Sequence, residues 1–168
     1  MESQPRVDQR DLAGMLNNLA LLYTTQGRFT EAEPLYLRSM GSVEKTLGLG
    51  HLDVATSLNN LAVLYVKQGR HQEAESLCRR SAAILGAKPG DERPEMSTAL
   101  SSLGALWVDL GRYDDGERLL QRSLELRERQ LGPHHLSVAT CLNNLAGVYR
   151  KLGKYAAAEP LYLRALVP

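Results

Sequence analysis

Apolar positions along this chain recur with a helical step. In the first fifty residues Leu12, Leu16, Leu19, Ala20 and Tyr23 follow one another at intervals that keep them on one face of an α-helix. Gly27 ends that stretch, because glycine enters the left-handed conformation without steric cost. A second helix is predicted from Thr30, a plausible N-cap whose following acidic residues suit the positive end of a helix. Its packing stripe is Ala32, Leu35, Tyr36 and Ser39, and the turn "LGLGH" closes it before Leu52.

The same helix pair is then spelled again. The segment "LNNLALLYTTQGRFTEAEPLY" at Leu16 returns as "LNNLAVLYVKQGRHQEAESLC" at Leu58 and "LNNLAGVYRKLGKYAAAEPLY" at Leu142, with a blurred copy, "LSSLGALWVDLGRYDDGERLL", at Leu100. These leucines stand 42 residues apart, and Gly27, Gly69, Gly111 and Gly153 keep the same step. A fixed period of about 20 to 50 residues marks a stacked array in which each unit buries its apolar face against its neighbours. A tail over residues 1–9 and one array over residues 10–168 are expected, with repeats at about 10–50, 51–92, 93–134 and 135–168, the last truncated.

Fixed columns of small residues indicate how the paired helices approach. Ala20, Ala62, Gly104 and Ala146 form one column, Ala32, Ala74, Gly116 and Ala158 another, and Tyr23, Tyr65, Trp107 and Tyr149 fill the space beside them. The third copy departs from the pattern, with Ser101-Ser102 in place of Asn-Asn and Gly116 in place of alanine, a helix-propensity cost of about 1 kcal/mol. Its preceding linker carries Pro89 where Leu47 and Leu131 stand elsewhere. The second helix of the second repeat should therefore stop early, near Ala87, and that joint should be the most mobile.

The repeated wording and its period resemble tetratricopeptide repeats, and are similar to the long-linker subtype of the kinesin light chain. The resemblance covers about residues 10–168. It implies an all-α, right-handed superhelical solenoid of four helix-turn-helix units, whose first helices line a concave groove that accepts peptides of a partner protein.

Composition narrows the remaining possibilities. With 43% hydrophobic and 23% charged residues the chain is of ordinary globular type, and a net charge of +1 gives no reason to expect nucleic acid as a partner. No signal-peptide core and no run of about 20 apolar residues is present, so no membrane partner is expected and a cytoplasmic location is. Cys78 and Cys141 lie in different predicted helices and recur in no other repeat; both are expected to be reduced and packed. His134-His135, His51 and His71 lack recurring carboxylate or cysteine partners, and no nucleotide or metalloprotease motif occurs. No enzyme, metal or cofactor is expected.

The resemblance assigns the groove face to columns on the first helices: Gly14/Thr56/Thr98/Thr140, Asn17/Asn59/Ser101/Asn143, Leu21/Val63/Ala105/Gly147, Thr24/Val66/Val108/Arg150 and Thr25/Lys67/Asp109/Lys151. Asn amides combine donors and an acceptor, so Asn17, Asn59 and Asn143 can hold an extended peptide backbone, while Asn18, Asn60 and Asn144 lean toward the neighbouring unit and could also touch a ligand. Leu21, Val63, Ala105 and Gly147 shrink in order, which predicts the deepest groove between the third and fourth units. Arg150 and Lys151 border that space, and with Lys67 they outweigh Asp109. An acidic peptide with one bulky apolar or aromatic anchor would suit such a groove, in the manner of kinesin-light-chain cargo adaptors. Clamping of a terminal carboxylate is not expected, since Gly14, Leu21, Thr56 and Thr98 stand where such clamps place charge.

Two ladders read as register devices. Glu33, Glu75, Glu117 and Glu159 are expected to bridge Arg38, Arg80, Arg122 and Arg164 on successive second helices; Arg28, Arg70, Arg112 and Lys154 are expected to form a solvated rim. The last helix is expected to begin near Ala156 and run to the chain end without a polar cap. The expectation is that these residues are a fragment of a longer array, or else that the last helix stacks on another copy; the alternative function is accordingly a structural spacer that self-associates through that C-terminal helix.

Overall fold

In a computed structural model, residues 8–88 and 90–166 are described, and among them eight α-helices and no strands occur. The helices are α1 (Gln9–Thr25), α2 (Phe29–Leu47), α3 (Leu52–Lys67), α4 (His71–Gly86), α5 (Pro94–Asp109), α6 (Tyr113–Leu131), α7 (Leu136–Lys151) and α8 (Tyr155–Ala165). They fall into two compact units, Met1–Ile84 and Leu85–Pro168. Most of the expected tail, Pro89 of the expected early stop, and the last two residues lie outside the described residues.

Each hairpin turn is built by one glycine. Gly27 sits at φ 74°, and the Arg28 amide donates to the carbonyl of Tyr23 at 2.9 Å, so the carbonyls left open at the end of α1 are satisfied by the turn itself. The same bond joins Arg70 to Tyr65, Arg112 to Trp107 and Lys154 to Tyr149, at 2.7 to 2.8 Å. The tight turn moves the start of α2 to Phe29, with Arg28 in the cap position and no side-chain cap; Thr30 is thus already helical and does not serve as N-cap. The longer turns between repeats are capped differently. His51 Nδ1 accepts from the Asp53 amide at 3.2 Å and His135 Nδ1 from the Ser137 amide at 3.1 Å, which gives these two histidines a structural task.

The small columns do pack at the helix crossings: Ala20, Ala32, Ala62, Ala74 and Ala146 are fully buried. In the third hairpin the approach is closer. A Cβ on Gly116 would lie 2.8 Å from the Gly104 carbonyl oxygen and 2.6 Å from Val108 Cγ2, so the two glycines let the α5 and α6 backbones meet. A serine column adds a bond within each of three hairpins. Ser39 donates to the Ala13 carbonyl (2.7 Å), Ser81 to Ala55 (3.3 Å) and Ser123 to Ser97 (2.7 Å).

Helix α4 ends at Gly86, where the repeat register of α2 and α6 would carry it to residue 89, so the early stop is present. The described residues of the linker that follows make polar contacts. Arg122 donates to the Lys88 carbonyl at 3.0 Å, Arg129 pairs with Glu92 at 2.9 Å, and Arg93 folds back on Asp91 at 2.6 Å. Leu131, the supposed anchor of the later linker, is itself exposed.

The charged ladders connect differently from expectation. Glu33 accepts from the Tyr65 hydroxyl at 2.8 Å and from Arg70 Nη1 at 2.9 Å, and Glu117 accepts from the Tyr149 hydroxyl at 2.7 Å. These two glutamates therefore tie α2 to the aromatic residue of α3 and α6 to that of α7. Arg80 reaches Glu44 at 2.5 Å and Arg164 reaches Glu128, both offset from the expected glutamates. The turn arginines are not a free rim either: Arg28 and Arg70 stack over the Tyr23 and Tyr65 rings at 4.0 and 3.8 Å, and Arg112 lies 5.4 Å from the Trp107 ring. Both cysteines are free and buried, and burial pushes the Cys78 thiol up to about 12, so it stays protonated at neutral pH.

Candidate functional site

The second unit contains a cleft of about 270 Å³ between its two hairpins. Its walls come from two first helices, α5 with Ala105, Val108 and Asp109, and α7 with Asn143, Asn144, Gly147, Val148, Arg150 and Lys151. Its floor comes from the second helices, through Leu120 of α6 and Tyr162 of α8. Gly147 creates the depth, since a Cβ built there meets nothing within 4 Å. The volume accepts one bulky side chain and falls just below the range of about 300 to 1,000 Å³ typical of small-molecule pockets.

Charge at the mouth is less one-sided than the residue types suggest. Lys151 Nζ lies 3.8 Å from the Asp109 carboxylate, with both side chains about half exposed, so this pair contributes about 0 to 1 kcal/mol and shifts readily when a ligand competes. Arg150 stays as the excess cation of that rim. Asn143 and Asn144 are exposed beside it and present amide donors and acceptors toward the opening.

The other residues assigned to the groove distribute unevenly. In the second unit Thr98 and Thr140 are exposed but turn their hydroxyls back onto the Pro94 and Leu136 carbonyls, at 3.4 and 3.1 Å, and Ser101 is half-buried. In the first unit Leu21, Asn18, Thr56 and Lys67 are exposed and Val63 is half-buried. Asn17 accepts from Asn60 Nδ2 at 3.0 Å, so this part of the amide ladder joins α1 to α3. Asn59 is buried and does not present its amide to solvent. Thr24 is likewise committed to its own hairpin, donating to the Ala20 carbonyl at 2.8 Å.

Leu120, Val148 and Tyr162 were not among the expected site residues. The signal for two of them is in the register, because Tyr36, Cys78, Leu120 and Tyr162 form one column of the second helices. Among the described residues no cluster of three metal-ligating side chains occurs, and no helix is long and apolar enough to cross a membrane.

A chain of antiparallel helix pairs with glycine turns, small-residue crossings and an open cleft on its first helices defines a helical-repeat scaffold for protein interaction. The tetratricopeptide repeat profile matches residues 11–87, 53–107 and 95–166, and the chain belongs to the tetratricopeptide repeat family. Comparison with curated protein sequences gives no match. Among solved structures the fold is shared with BtubC (BKLC) from P. vanneervenii, at TM-score 0.74 and 23% identity over 97% of this chain. It is shared with the kinesin-light-chain-type, nearly identical TPR-like repeats of Podosopora anserina, at TM-score 0.73 and 23% identity over 96% of this chain and 76% of theirs. The apo form of RapI aligns at TM-score 0.71 and 14% identity over 96% of this chain. The present chain spans 65% of the length of BtubC and 57% of RapI. These likenesses are of fold, an all-α repeat solenoid.

Proposed function

We propose that this chain is a non-catalytic adaptor that holds a peptide segment of a partner protein in the α5–α7 cleft. The observation that carries the reading is the cleft at Gly147, an opening sized for one side chain with a cationic and amide-lined mouth. A tryptophan or other bulky apolar residue enters beside Leu120 and Val148, and acidic residues flanking it meet Arg150 and Lys151. Burial of the anchor supplies affinity and the charges supply orientation. Asn143 and Asn144 bond the peptide backbone, which makes the site tolerant of sequence beyond the anchor.

A labelled peptide with one tryptophan among acidic residues, titrated by fluorescence anisotropy, tests this. Saturable binding should weaken at least ten-fold, about 1.4 kcal/mol, in the variant Asn143→Ala/Lys151→Glu. Equal binding by the variant would remove the cleft from consideration.

A further inference from the structure

The two walls of the α5–α7 cleft carry opposite charge. On the α7 side Arg150 and Lys151 are exposed, and on the α5 side the exposed charged residue is Asp109. Of the positions assigned to the groove face, Asp109 alone is acidic, and its own column reads Thr25, Lys67, Asp109 and Lys151. The helices account for the cations and not for the acid. Arg150 and Lys151 stand in the last turn of α7, where the negative end of the helix dipole favours positive charge. Asp109 is the last residue of α5, whose final turn has no basic residue, so there the dipole opposes its charge.

Asp109 is also a poor strut between the walls. Its carboxylate lies 3.8 Å from Lys151 Nζ, and the Asp109 and Lys151 side chains are 55% and 44% exposed. A charge-assisted hydrogen bond would need about 2.7 to 2.9 Å, so this is a loose ion pair that water screens. A charge so placed acts on what enters the cleft more than on the fold. Like charges brought together at an interface cost more than an exposed pair returns, so one wall charge is an effective means of rejecting a wrong arrangement. An acidic residue carried over α5 meets Asp109; the same residue carried over α7 meets Arg150 and Lys151. Asn143 and Asn144 offer donors and acceptors alike and do not distinguish the two directions of a peptide. That choice is left to the charges.

We infer that Asp109 sets the direction in which a peptide crosses the cleft. The inference rests on the peptide-holding reading above and narrows its ligand to a segment whose charge changes sign at the anchor. Acidic residues stand on the flank over α7, and a lysine or arginine stands on the flank over α5. On binding, Lys151 leaves Asp109 for the carboxylate of the peptide, and the cation of the peptide takes its place beside Asp109. Every charge then keeps a partner. The reversed peptide sets acid against Asp109 and cation against Arg150, and is rejected.

Two labelled peptides of one composition test this by fluorescence anisotropy, one with two glutamates before a tryptophan and two lysines after it, the other with that order reversed. A third peptide, with glutamates on both sides, reports on the cleft itself through its dependence on Asn143→Ala/Lys151→Glu. With the wild type the two isomers should differ in affinity by about ten-fold or more, and the gap should narrow in high salt. Asp109→Asn should reduce the gap to about three-fold or less, and Asp109→Lys should tighten binding of the all-acidic peptide. Both variants should melt at or above the wild-type temperature, because the charge they remove opposes the α5 dipole. A melting temperature lowered by Asp109→Asn would make the residue a strut and overturn the inference. Isomers of equal affinity, or a gap that Asp109→Asn leaves unchanged, also overturn it, while cleft-dependent binding of the all-acidic peptide keeps the peptide-holding reading. Both fall together if none of the three peptides binds, or if binding is indifferent to Asn143→Ala/Lys151→Glu.

Discussion

At the scale of single residues, Gly104 and Gly116 convert a weak helix-former into a packing requirement. Gly116→Ala gains helix propensity, yet its Cβ must displace a backbone carbonyl and Val108, and overpacking of this kind costs about 1 to 3 kcal/mol. The substitution should lower the melting temperature, whereas Gly147→Ala, with open space around its Cβ, should hold or raise it; thermal denaturation of the two variants side by side decides this. Asp91 makes a second prediction. The Arg93 guanidinium holds its carboxyl down at about 2, below the ordinary 3.8, so the linker contact is fully present above the ordinary value and is lost as pH falls from there through about 2. Carbon-detected titration of the Asp91 carboxyl should show the low midpoint, and Arg93→Ala should return it to the ordinary range; a normal midpoint in the native protein would contradict the linker geometry.

Among the elements, the bonds that fix helix pairs differ from those that fix successive pairs. Within a hairpin the serine column donates across the crossing, and Ser123→Ala should destabilise by about 1 kcal/mol in denaturant unfolding, the usual net value of such a bond. Between hairpins of the second unit the Tyr149 hydroxyl donates to Glu117, and burial together with that carboxylate keeps the phenol protonated well above neutrality. A double-mutant cycle of Tyr149→Phe and Glu117→Gln should report coupling of about 1 kcal/mol, and additive single effects would assign the two residues to separate roles. Helix number, order and most boundaries were legible in the sequence, because apolar spacing and the recurring glycines are local signals. The start at Phe29 was not. A threonine beside acidic residues advertises a cap, and only the tightness of the Gly27-Arg28 turn makes it unnecessary. The glutamate ladder misled for a related reason: the register aligns Glu33 equally with several cations, and the choice of Tyr65 and Arg70 depends on how α2 lies against α3.

For the whole chain, four copies of one hairpin supply the core, and the small departures among copies shape the cleft proposed as the site. The shrinking series Leu21, Val63, Ala105 and Gly147 points in the sequence to the region where the cleft lies, since depth follows from side-chain volume at one column. Its floor was hidden because Leu120 and Tyr162 read as packing residues of the second helices, and both pack and line. The Asn ladder was only partly readable: an amide serves a ligand or a neighbouring helix equally well, and Asn17 with Asn60 took the second course. The most direct test of peptide holding in this cleft is calorimetric binding of the acidic tryptophan peptide to wild type and to Gly147→Leu. The added side chain starts from a position where a Cβ meets nothing within 4 Å and extends into the cleft, so thermal stability should be retained while affinity falls at least ten-fold. Undiminished binding by a stable Gly147→Leu variant would contradict the account.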